Sequence, residues 1–193
     1  MKTLRNLVLL IVAATTLSSC GYNSMVAKDE AVASQWAQVE NVYQRRADLI
    51  PNLVNTVKGY ADFEQKTLTE VIEARLKATS INISAEELNP ESIAKFQQAQ
   101  NQLSGALSRL LVSVERYPEL KANQNFLELQ AQLEGTENRI TVERKKFNEV
   151  TQDYNTYIKQ FPRVIYASWF DFEKKGYFEA KEGADEVPEV NFD

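Results

Sequence analysis

Histidine is absent from the 193 residues, and cysteine occurs once, as Cys20. The first absence removes the commonest general base, the commonest metal ligand and every His-dependent triad; the second removes thiolate zinc sites. Enzymes that work with carboxylates or lysines alone survive this cut, and no metal or cofactor is expected. Glycine (6) and proline (5) are scarce too, which argues against an all-β chain with a turn every ten residues or so. Basic side chains (22) are outnumbered by acidic ones (27), a net charge of −5, so there is no electrostatic footprint for a phosphate backbone and nucleic acid is not an expected partner. What remains, 44% apolar and 25% charged, is the composition of a globular domain rich in helix.

The first nineteen residues read as an address. Lys2 and Arg5 precede an apolar run over residues 7–14, and small residues follow up to Cys20, the layout of a secretory signal. The run is short for a bilayer-spanning helix, which needs roughly 20 apolar residues. Its last four residues, LSSC, resemble the lipobox of bacterial lipoproteins, in which the cysteine becomes residue one and carries acyl chains such as palmitate. The alternative is an uncut signal anchor with an idle thiol. Acylation accounts for a lone cysteine in an exported protein, and several chains anchor firmly where one binds reversibly. Loss of residues 1–19 removes Lys2 and Arg5 and no acid, moving the charge from −5 to −7. Gly21 stands where an aspartate resembles an inner-membrane retention signal, so the expected place is the outer membrane, facing the periplasm, if the host is a diderm. Residues 20–29 are expected to be a lipidated start and linker.

Three periodic runs follow. Apolar residues at Trp36, Val39, Tyr43, Ala47, Ile50, Leu53, Val57, Tyr60, Leu68 and Ile72 step by three and four, as on an amphipathic helix. Ser84 and Glu87 have capping-box spacing, and Asn89-Pro90-Glu91 reads as N-cap, N1 and N2 of the second run. Its seam is Phe96, Ala99, Leu103, Leu107, Leu110, Val114 and Tyr117, ending before Pro118. The third carries Phe126, Leu129, Leu133, Ile140, Phe147, Val150, Tyr154, Ile158 and Phe161. Narrow stripes of this kind pack side by side, so the expected fold is all-α, an elongated antiparallel bundle over residues 30–162, with the short PELKAN link holding the second and third runs together.

Pro51 interrupts the first run. In a helix interior proline costs about 3 kcal/mol, but within a first turn the cost largely disappears. With Asp48 as N-cap, Pro51 is N3, so a kink or break is expected between Asp48 and Pro51. After Pro162 the rhythm gives way to an aromatic strip, residues 163–178, with Tyr166, Trp169, Phe170, Phe172, Tyr177 and Phe178. It is expected to dock on the bundle, since exposed aromatic patches are rare. Residues 179–193 form an acidic tail, expected to be disordered.

The strings YQRRADLIPNLVNTVKGYA (43–61), LSRLLVSVERYPELKANQNFLELQAQLEGTENRI (107–140) and YNTYIKQFP (154–162) together resemble the LemA family of bacterial envelope proteins. The resemblance spans most of residues 30–180. It implies a helical bundle held at the membrane near its N-terminus and brings no catalytic residues. Many relatives keep an uncleaved helix; the lipobox departs from that and changes the anchor alone.

The candidate site residues are polar. Cys20 is the lipidation point. Arg45, Arg46 and Asp48 beside Pro51, and Arg116, Glu119, Lys121 and Asn123 around the PELKAN link, are candidates for binding a protein partner. Glu137 and Arg144 fall on the rhythm of the third run, as an inward polar layer or as an edge with its charged heads in water. No pair of acids is placed for glycosidase-like chemistry. The first expectation is a lipid-anchored scaffold or adaptor without catalytic activity. The second is a binding module for an envelope polymer or small ligand, and a carboxylate-only enzyme is the remote third.

Overall fold

The computed structural model describes residues 2–59 and 64–180, with side chains from Gly21 onward. Six α-helices occupy them: α1 (Lys2–Lys58), α2 (Gln65–Ser80), α3 (Pro90–Val114), α4 (Pro118–Lys121), α5 (Gln124–Lys159) and α6 (Arg163–Trp169), with a 3-10 turn at Ala85–Glu87. No strand occurs among the described residues. The expected all-α bundle is what forms.

The caps read from sequence are in place. The Asn89 side chain accepts from the Ser92 N–H at 2.9 Å with Pro90 at the head of α3, and the Ser84 N–H reaches Glu87 Oε2 at 3.4 Å. The break expected at Asp48 to Pro51 is not there: α1 continues through Pro51 to Lys58. Proline at 51 deprives the Ala47 carbonyl of its i+4 donor, and Arg75 on α2 replaces that donor, Nε to Ala47 O at 2.8 Å. The first run instead divides after Gly59, a residue type that commonly follows a helix end. Tyr60 of the expected seam lies outside the described residues.

Two further boundaries differ from the sequence reading. Residues 20–29 are helical, continuous with the bundle rather than a linker, because Met25 and Val32 extend the buried stripe that Trp36 continues and are fully buried. The third run ends at Lys159, leaving Phe161 outside the seam and 83% exposed.

Packing follows two pairs: α1 lies closest to α5, and α2 to α3. The second and third runs, joined by the PELKAN link, are therefore not each other's main partners. Longer faces are available elsewhere, since α1 and α5 match over most of the bundle's length. One core, around Ile50, Leu53, Val57, Leu68, Leu103, Leu110 and Phe126, fills the half where α1 ends and α5 begins. A second, around Met25, Trp36, Phe96, Phe147, Tyr154 and Phe178, fills the half nearer Gly21.

Candidate functional site

In the second core the chain from Phe172 to Ala180 has no regular secondary structure and lies between α3 and α5. Three side-chain amides hold it, each gripping both the N–H and the C=O of one strip residue. Asn155 receives the Lys175 N–H and donates to its carbonyl, both at 3.0 Å. Asn148 does the same for Phe178 at 2.9 and 2.8 Å, and Gln97 of α3 for Glu179 at 3.0 and 2.9 Å. The spacing is geometric. Seven helical residues from Asn148 to Asn155 rise about 10.5 Å, and three extended residues from Lys175 to Phe178 cover roughly 10 Å. An Asn pair at i, i+7 on a helix is thus matched to backbone groups three residues apart in an extended chain.

Side chains complete the dock. The Phe178 ring lies against Trp36, Phe96 and Phe147 at centroid distances of 6.1, 6.3 and 5.5 Å. The Arg144 guanidinium covers its outer side at 4.8 Å and donates to the Glu179 carbonyl at 2.8 Å. At Gly176 the strip passes so close to α3 that a Cβ would meet Pro90 Cα at 2.8 Å and Asn89 O at 2.9 Å, while its N–H bonds Leu88 O at 2.8 Å. Lys175 pairs with Asp29 of α1 at 3.1 Å. Glu179, expected to begin a disordered tail, is therefore held; residues 181–193 lie outside the described residues.

A second polar cluster joins the two cores. Arg46, a sequence candidate for partner binding, is only 2% exposed. Its Nη1 donates to Ser104 Oγ and to Glu137 Oε2, both at 2.9 Å, and its Nη2 to Gln100 Oε1. Tyr43 lies 5.0 Å beneath it. The guanidinium ties α1, α3 and α5 together and is withheld from partners. Glu137 is half exposed and pairs with Arg46, while Arg144 is only partly buried and lies over Phe178, so the two do not form the inward layer expected of them; the buried polar residues at this level are Arg46 and Gln100. Burial raises the Tyr43 phenol above its ordinary value of 10.0, against the pull of Arg144 and Arg46.

The other candidates lie on the surface or at helix caps. Arg45 and Asp48 are exposed on α1, Asp48 accepting from Gln44 at 2.7 Å. At the α4 end, Arg116 pairs with Glu64 at 3.5 Å, which brings the two inter-helix links to one end of the molecule. Lys121 pairs with Glu115 there, and Glu119 is exposed. Asn123 is turned to structural use, accepting from the Phe126 N–H at 3.1 Å as the α5 N-cap. Cys20 lies among residues whose side chains are not described.

A broad trough of about 1190 Å³ runs between α2, α3 and the strip, lined by Glu70, Lys77, Gln98, Asn101, Arg109 and Tyr177 among others. A crevice of about 310 Å³ beside Glu40 and Tyr43 lies between α1 and α3. Among the described residues no cluster of three potential metal-ligating acids or cysteines occurs, and no helix is long and apolar enough to cross a membrane.

Several known proteins are similar to this chain. It is 26% identical to the magnetosome protein MamQ of Magnetospirillum gryphiswaldense, an alignment covering 92% of this chain and 72% of that protein. Identity to magnetosome protein MamQ 2 of Paramagnetospirillum magneticum is 27%, over the same shares of each chain. Protein LemA of Metamycoplasma hominis is 21% identical over 83% of this chain and 69% of its own length. The LemA family model matches residues 35–192, from the segment carrying Trp36 through the docked strip and beyond, and the chain belongs to the LemA family.

Proposed function

We propose that this protein is a cell-envelope scaffold or adaptor without catalytic activity, held at the membrane through Cys20 and presenting its far end to a protein partner. The observation that carries the reading is the separation of the two ends. Tyr22, two residues after Cys20, lies at the α6 end of the bundle, against Phe170 at 4.9 Å. The links carrying Arg116, Glu119 and Lys121 meet at the other end. At about 1.5 Å per residue, α1 from Gly21 to Lys58 is roughly 55 Å long. A stiff rod of that length holds a charged docking end well clear of the attachment point, and loops on rigid scaffolds are where partners commonly bind. In a diderm host the body would stand in the periplasm, on the outer membrane.

The test is affinity purification of the intact protein from solubilised membranes, beside a variant carrying R116E and K121E. A protein recovered reproducibly with the natural chain and lost with the variant supports the reading. Recovery of no reproducible protein overturns it.

The amide-lined trough favours a second reading, a binding module for an envelope polymer, since amides and a tyrosine ring suit a hydroxylated or peptide-bearing chain. Exchange protection of residues 97–109 by solubilised envelope polymer would support it; unchanged exchange would dismiss it.

A further inference from the structure

Ten large apolar side chains are exposed among the described residues, and six of them, Tyr22, Phe161, Val164, Ile165, Trp169 and Phe170, belong to one end of the molecule. The other four, Leu76, Val112, Leu127 and Val142, are scattered along the helices, as single exposed apolar residues ordinarily are. On α6, positions 164, 165 and 169 fall on the arc facing away from Tyr166 and the buried Ala167, at the spacing of one helix face. Phe161 precedes that arc at 83% exposure, and Trp169 lies on it at 70%. Tyr22 joins the patch to α1, its ring 4.9 Å from Phe170 and 5.8 Å from Phe172.

We infer that this patch seats in the interfacial layer of the bilayer, with Trp169, Phe161 and Phe170 among the headgroups and upper acyl chains. The inference rests on the proposed membrane attachment and adds a second contact to it. Its position selects the occupant. Tyr22 follows Cys20 by two residues, a rise of about 3 Å along the helix, so the patch lies beside the proposed attachment point. Its composition fits as well: aromatic rings concentrate where one end is apolar and the other wet. Charge does not supply the contact, because the body is acidic. Apolar burial does, which makes zwitterionic lipid sufficient and the seating insensitive to salt. Anchored at Cys20 and seated on α6, the rod has two points of support at the surface, which fixes its tilt.

The chain's two tryptophans make this readable. Trp36 is 2% exposed in the core and Trp169 is 70% exposed. The full chain, purified from membranes and reconstituted into phosphatidylcholine vesicles, is floated to read attachment. Its tryptophan emission is then compared in vesicles with and without lipids brominated near the headgroup. The expected result is co-flotation with strong bromine quenching that W169F abolishes, since the remaining Trp36 is shielded. Flotation without quenching overturns the seating and leaves the anchor standing, and the same result with a cross-linkable dimer assigns the patch to a second copy. Failure to float removes both.

Discussion

Arg75 donates through Nε to the Ala47 carbonyl at 2.8 Å, the carbonyl whose helical donor is missing because residue 51 is proline. One helix thus repairs another, and α1 passes through Pro51 unbroken. A double-mutant cycle isolates this contact. In the natural chain R75A should cost about 1 kcal/mol, the worth of one hydrogen bond plus an unpaired carbonyl. In a P51A background the alanine N–H serves Ala47 directly, and R75A should cost close to nothing. Urea unfolding of the four chains measures it; equal costs in both backgrounds would show that Arg75 acts through packing alone.

Arg46 and Glu137 should respond very differently to truncation, although they share an ion pair. Arg46 is buried and serves Ser104, Gln100 and Glu137 together, so R46A leaves several groups short of partners. A loss of about 2–4 kcal/mol is expected, and R46M, which keeps the stem, should recover part of it. Glu137 is half exposed, and E137A should cost under about 1 kcal/mol. Denaturant midpoints of the three variants decide the order.

The strip depends on its amides and on Gly176. N155A removes both bonds to Lys175, a loss of about 1–2 kcal/mol of local stability. G176A should release more of the strip, since the Cβ meets the backbone of Asn89 and Pro90 rather than a side chain that can move. Hydrogen exchange over residues 172–180 should accelerate in both, with the far core around Leu103 and Leu110 unchanged.

Stability should be nearly flat through neutral pH and fall in alkali. There is no histidine to titrate. Burial raises the phenols of Tyr43 and Tyr154 above 10.0, helped at Tyr154 by the carboxylates of Asp29 and Glu173. With folded values above unfolded ones, their contribution is complete below pH 10 and is lost as pH rises from there through the folded values, at no more than about 1.4 kcal/mol per pH unit for each ring. Urea unfolding from about pH 7 to about pH 11 tests this, and Y43F should remove its share of the alkaline slope.

The fold was largely legible because helix signals are local. Asn89 and Pro90 mark the head of α3, and the seams from Phe96 to Val114 and from Phe126 to Ile158 are stripes with a fixed period. Pro51 misled for the same reason. Its local cost was visible, while its remedy came from Arg75, on another helix, which no spacing along the chain reveals. Arg46 beside Arg45 looked like a surface pair because charge predicts exposure, yet the buried partners at Ser104 and Gln100 exist only once α3 is packed. The strip was recognisable from its aromatics, but its grip was not. Asn148 and Asn155 do carry a signal, an i, i+7 amide pair flanking the buried Thr151, which acquires meaning once an extended partner of the right rise is placed against it.

The claim on which the proposed function depends is that Cys20 is the attachment point, and the mass of the N-terminal peptide from the membrane-purified protein tests it most directly. The account expects a chain beginning at Cys20 and carrying acyl chains. A peptide that still contains residues 1–19, with an unmodified cysteine, would contradict it and leave the uncut start of α1 as the tether.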